Sequence, residues 1–90
     1  MDANTKAKRV ARNIRRVRRY RNYTQAYVAQ KIGISQNAYS KLELGLHKLS
    51  LERLFQIADV LDLDCAALLA SENDATARLR IEAVVNRVIH

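Results

Sequence analysis

Proline and tryptophan are absent from this 90-residue sequence, glycine occurs only twice, and there is a single cysteine. Scarce proline and glycine, with 49% apolar and 28% charged residues, exclude a disordered or collagenous chain and predict a folded, mostly helical one. Two glycines leave no Gly-rich phosphate loop. One cysteine, Cys65, excludes an intramolecular disulfide, and among Leu63, Ala66 and Ala67 it reads as a small hydrophobe. His47 and His90 stand apart without cysteine or carboxylate at ligand spacing, so no metal is expected. Paired-carboxylate and Ser/His/Asp constellations are missing as well, which argues against an enzyme and implies no cofactor. Apolar runs are short, as in Ala66-Ala67-Leu68-Leu69-Ala70, far below the ~18–20 residues that cross a bilayer. The stretch from Met1 to Arg21 lacks the apolar block of about 7–15 residues that a secretory signal needs, so a cytoplasmic location and no membrane partner are expected.

Acidic residues are scarce in one half of the chain only. Residues 1–49 hold 12 lysines and arginines against two acids, a net of +10, whereas residues 50–90 hold four against seven, a net of −3. A molecule so polarised presents its N-terminal half to a polyanion, and nucleic acid is the commonest one. The competing reading is a solvated charged helix that only keeps the protein soluble.

Hydrophobic periodicity marks a series of short helices. Val10, Ile14 and Val17 form one apolar stripe, surrounded by Lys8, Arg9, Arg12, Arg15, Arg16 and Arg19, on a basic helix that ends near Arg21. Asn22 is suited to the left-handed residue that closes it, Tyr23 leads in, and Thr24 caps a second helix that carries Ala26, Val28 and Ala29 to about Lys31. Gly33 permits a sharp turn before the cap Ser35 and a third helix from Gln36 to about Leu44. Ala38, Tyr39 and Leu42 share its inward face; Gln36, Asn37, Ser40, Lys41 and Leu44 are left on a largely polar outer face that suits base edges. Gly45 ends that helix. Ser50 caps a fourth, whose Leu51, Leu54, Ile57, Ala58 and Leu61 repeat at helical spacing as core.

The run from Arg18 to Leu69 resembles the phage repressor and Cro-like, or XRE-like, helix-turn-helix family. The resemblance lies in Thr24-Gln25 opening the second helix, Val28-Ala29 inside it, Gly33 at the turn, and Ser35-Gln36 opening the third. It continues through Tyr39-Ser40-Lys41-Leu42-Glu43 and Gly45, Ser50-Leu51-Glu52-Arg53-Leu54, Ile57-Ala58-Asp59-Val60-Leu61, and a short fifth helix at Leu63 and Leu68-Leu69. It implies an all-α fold, a compact five-helix repressor-like domain taken over residues 1–70; beyond the resemblance, the apolar periodicity of the residues themselves predicts a C-terminal amphipathic helix in 71–90. The resemblance also implies double-stranded DNA as partner, read in the major groove by Gln36, Asn37 and Lys41, with Ser40 as a lesser contact. Thr24 and Gln25 then hold a phosphate at the second helix's N-terminus. Arg18 and Glu43 match an orienting ion pair between the first and third helices. Where the family often has basic residues and proline after the glycine, this chain has Leu46-His47-Lys48-Leu49, which leaves Lys48, and His47 when protonated, as loop contacts. The unusually basic first helix adds Lys8, Arg9, Arg12 and Arg16 as phosphate ligands, and the flexible start with Lys6 and Lys8 is read as an arm along the duplex.

Each assignment has a plainer competitor. Gln36 and Asn37 also suit the start of any helix, a reading the family match outweighs. Tyr39 is read as core; Tyr27 stays open between packing and base stacking. Ile81, Val84, Val85 and Val88 form a stripe in the C-terminal helix that either folds back or pairs with a second copy, the second being preferred because one short helix reads few base pairs. The resulting expectation is a homodimeric, nucleoid-associated transcriptional regulator, a repressor by preference, on a near-palindromic operator. Ninety residues leave no room for an effector domain, so no small-molecule effector is expected. The alternative is a protein-interaction module that binds another regulator through the C-terminal helix.

Overall fold

The computed structural model describes residues 2–70, and within them the chain forms five helices: α1 (Ala3–Tyr20), α2 (Gln25–Lys31), α3 (Gln36–Glu43), α4 (Leu51–Leu61) and α5 (Cys65–Leu69). The stripe Ile81, Val84, Val85 and Val88 lies outside the described residues. No helix among the described residues is long and apolar enough to cross a membrane.

Each helix starts on an oxygen cap and the first four end on a left-handed residue. The side chains of Asp2, Thr24, Ser35, Ser50 and Asp64 accept first-turn N–H groups at 2.8–3.1 Å, satisfying donors that have no partner inside the helix. At the other ends, Asn22, Gly33, Gly45 and Asp62 adopt φ of 61°, 76°, 74° and 55°. In each case the next residue's N–H reaches five residues back: Tyr23 to Arg18, Ile34 to Ala29, Leu46 to Lys41 and Leu63 to Ala58, at 2.9–3.1 Å. Gly45 carries a second constraint, since a Cβ there would lie 2.9 Å from the Lys8 Cγ on α1.

The helices enclose one core. Ile14, Val17, Val28, Tyr39, Ile57, Leu61 and Leu68 are each almost wholly buried, so every helix contributes at least one member. α1 packs on α3, α4 and α5, while α2 packs on α3 and α4. Two polar ties fix helices that apolar contact alone would let slide. The Asn13 amide donates to the carbonyls of Leu68 (2.9 Å) and Ala70 (3.1 Å), closing the end of α5 onto α1. Arg53 donates to the Ile32 carbonyl at 2.8 Å, joining α4 to the end of α2. Cys65 packs half-buried against the core, and burial, then Asp64, raises its thiol pKa, in line with a packing role.

Two expectations change. The chain start is not a trailing arm: α1 begins at Ala3 under the Asp2 cap, so Lys6 and Lys8 are fixed on a helix. Asp2 placed three residues before Thr5 is the local signal for that start. Leu51, expected in the core stripe of α4, is 65% exposed, because as the first helical residue it points outward while Leu49 packs on the core from the preceding loop.

The third tie is ionic and buried. Arg18 on α1 grips the Glu43 carboxylate with two bonds, Nε to Oε2 at 2.6 Å and the terminal nitrogen to Oε1 at 3.1 Å. Its other terminal nitrogen donates to the Tyr23 carbonyl at 2.8 Å. Gln25 on α2 donates to the same Oε1 at 3.2 Å. Both charged side chains are nearly inaccessible, at 10% and 1% exposure. Tyr39 lies beside the pair: burial first, then the carboxylate, pushes its phenol well above the ordinary value, and its hydroxyl forms no hydrogen bond of good geometry. Burial pushes the Glu43 carboxyl up, but hydrogen bonds led by Arg18 outweigh it and hold its pKa below the ordinary 4.5.

Removing one partner strands the other charge, so Arg18→Met or Glu43→Leu alone should cost about 3–5 kcal/mol in urea unfolding, whereas the double substitution should cost much less than the sum. An additive double variant would refute the coupling. Because Glu43 binds its proton more weakly in the folded than in the unfolded chain, its contribution is complete above the ordinary carboxylate value of 4.5 and is lost as pH falls through the lower folded value. Stability of the wild type against pH should therefore fall more steeply across that acid range than stability of Glu43→Gln.

Candidate nucleic-acid interface

The outward face of α3 follows from what its inward face buries. Tyr39, Leu42 and Glu43 are buried, and at about 100° per residue Asn37, Lys41 and Leu44 lie on the opposite side. Gln36 and Asn37 are exposed, and Ser40 and Lys41 are half-buried. The four residues expected to meet bases are thus brought onto one short helix, with Gln36 and Asn37 in its first turn. Leu44, 57% exposed at the end of that face, adds an apolar position to the polar set.

α2 and the Gly33 turn set the angle of this helix. Ile34 hydrogen-bonds back to Ala29 at 3.0 Å, and Ser35 at once caps α3 by accepting from Ala38 N–H at 3.1 Å, so only four residues separate the two helices. At its other end α3 is held through Glu43 by both α1 and α2. This hub also engages a predicted phosphate ligand. One N–H of the Gln25 amide is taken by Glu43, which leaves the second amide N–H and the residue's backbone N–H in the first turn of α2 as donors. Thr24 accepts from Tyr27 N–H at 3.0 Å and keeps its hydroxyl hydrogen to donate.

Lys48 and His47 are exposed in the loop after Gly45, and Lys8 reaches the same turn from α1, its stem against Gly45. The remaining cations of α1 are sorted by face. The Arg9 guanidinium is directed to the Leu69 carbonyl at 3.5 Å, on the α5 side. Arg12 and Arg16 instead join Arg15 and Arg19 on the outward face, a grouping that a list of basic residues does not reveal but their i, i+3, i+4, i+7 spacing does. Tyr27 stacks on Tyr23, with ring centroids 4.6 Å apart, and the Lys31 ammonium sits 5.5 Å from its ring, so it is a partly exposed packing residue on α2.

The sequence is similar to those of known proteins. The family model described as helix-turn-helix matches residues 14–68. The HTH-type transcriptional regulator AnsR of Bacillus subtilis (strain 168) is 36% identical over 56 residues, 62% of this chain and 48% of that protein. The uncharacterized HTH-type transcriptional regulator YqaE of the same organism is 32% identical over 62 residues, 69% of this chain and 53% of that protein. The chain therefore spans about half the length of the curated relatives it matches. No solved structure matches it. The family match starts inside α1 and ends inside α5, taking in every contact that sets the angle of α3, and on that ground the chain belongs to the helix-turn-helix family.

Proposed function

We propose that this chain is a sequence-specific double-stranded DNA-binding transcriptional regulator, a dimeric repressor that reads a near-palindromic operator with α3. The observation that carries the reading is the exposed first turn of α3, with Gln36 and Asn37 facing outward on a helix whose far end is locked by the Arg18–Glu43 pair. Side-chain amides there can pair with adenine N6 and N7, Lys41 with guanine O6 and N7, and Leu44 can meet a thymine methyl. The names of both relatives, HTH-type transcriptional regulators, support the same role.

Backbone contacts position that readout. Thr24 donates its hydroxyl hydrogen and Gln25 its backbone N–H from the start of α2, while Lys48 anchors the far side with Lys8 beside it. These contacts carry no sequence information but set register. Two copies with α3 helices roughly 34 Å apart would place both in successive major grooves on one side of the duplex, and the stripe Ile81, Val84, Val85 and Val88 is the proposed means of pairing. Binding as a dimer excludes polymerase from the operator it covers.

Selection of bound sites from random duplex DNA at moderate salt tests this directly. Wild type should enrich a near-palindromic motif, and Gln36→Ala/Asn37→Ala/Lys41→Ala should lose the motif while keeping weak, salt-sensitive binding. A dimer with about 6–10 phosphate contacts should lose ~10³–10⁵ in affinity between 50 and 200 mM salt. Equal enrichment by both proteins would remove α3 as the reader. No motif from either, with a partner protein held by the C-terminal segment, would favour the interaction-module reading instead.

A further inference from the structure

The basic residues of α1 and its C-terminal cap are not all used alike. Arg18 and Arg21 have acidic partners in Glu43 and Asp62, and Arg9 lies against α5. Arg12, Arg15, Arg16 and Arg19 are exposed and have no hydrogen bond or ion pair among the described residues. Together with Tyr20 they line one open trough of about 510 Å³ on the surface of α1. The stripe is centred roughly 150° round the helix from Ile14, which is almost wholly buried.

Such a stripe is costly for the helix that carries it. Arg12 faces Arg15 and Arg16, and Arg19 faces the same two, so four like-charged pairs stand at i, i+3 or i, i+4, the spacing at which they repel. Asp2, the cap, is the only acid in the first 20 residues, far from the stripe along the helix axis. The arrangement opposes stability and concentrates field of one sign, as expected of a surface completed by an anion.

Linear charge density indicates which anion. From Arg12 to Arg19 the helix rises about 10.5 Å in steps of about 4.5, 1.5 and 4.5 Å, so four guanidinium groups lie in that length at a mean of roughly one per 3.5 Å. A strand of duplex DNA carries one phosphate charge per ~3.4 Å of axis. Arginine, rather than lysine, presents a planar fork that matches phosphate oxygens. Insertion into a membrane surface is not open to this helix, because its apolar stripe, Ile14 and Val17 included, is committed to the core.

We propose that the outward face of α1, through Arg12, Arg15, Arg16 and Arg19, is a second nucleic-acid surface that holds the backbone of duplex DNA without regard to sequence. It is separate from the outward face of α3 and does not depend on α3 reading bases. The chain would then carry two binding modes, one that selects a site and one that keeps the protein on DNA between sites.

The test is made in the full chain carrying Gln36→Ala/Asn37→Ala/Lys41→Ala, on random-sequence duplex, so that the fate of the α3 reading does not enter. Adding R12Q, R15Q, R16Q and R19Q should lower affinity and make the plot of log affinity against log salt shallower by about 3–4, at ~0.9 per phosphate neutralised. The pairs R12Q/R16Q and R15Q/R19Q should each give about half that change, which keeps the test available if the fourfold variant is poorly folded. Replacing the four arginines with lysine should restore the slope, and the fourfold glutamine variant should melt no lower than its parent, since repulsion is removed. Unchanged slope and affinity in the glutamine variants would overturn the proposal, as would tighter binding of polyglutamate than of duplex at matched salt. Loss of slope here, combined with no enriched motif from wild type in the selection above, would keep this surface and discard the α3 reading.

Discussion

A single buried carboxylate holds the domain's working geometry. Glu43 sits at the last turn of α3, and three elements converge on it: α1 through Arg18, α2 through Gln25, and α3 itself through the packing of Tyr39. Coulomb attraction in a poorly solvated site is strong but directionless, whereas a two-pronged guanidinium grip also fixes orientation. The same arginine binds the Tyr23 carbonyl, so the α1–α2 turn is set by the group that sets α3. Apolar packing alone would leave the two short helices of seven and eight residues free to slide. The pair's net contribution to stability is modest; what it supplies is a fixed angle.

Local chemistry made much of this fold legible from the residues. Thr24, Ser35 and Ser50 as caps, and Asn22, Gly33 and Gly45 as terminators, work within a few residues of themselves, so they can be read in order along the chain. Asp62 in the left-handed region escaped because aspartate is less usual there than glycine or asparagine, and Asp2 escaped because chain starts are ordinarily frayed. Leu51 escaped for a different reason: periodicity assigns a face, but a residue at the first helical position can turn away from it.

The candidate site was legible unevenly. Periodicity separated Asn37 from Tyr39 and Leu42, and the structure keeps that division, whereas Gln36, one turn before Tyr39, is exposed because it starts the helix. Arg18 and Glu43 stand 25 residues apart with no local signature, so only likeness to a family could pair them. That Gln25 donates its amide to Glu43 was not readable at all, since it depends on where three helices meet. The arginines of α1 were visible as a basic run, yet their roles diverge by helical face: one buried, one turned to α5, four gathered outward.

The Asn13 amide has a bearing on how the molecule can be extended. By holding the carbonyls of Leu68 and Ala70, it pins the chain's exit from α5 to the middle of α1, on the flank turned roughly 140° from Arg18. Anything joined beyond residue 70 is therefore attached at a point fixed on α1. A tether of that kind converts a floppy attachment into one with a defined origin, and it narrows the volume that two joined domains can search for each other.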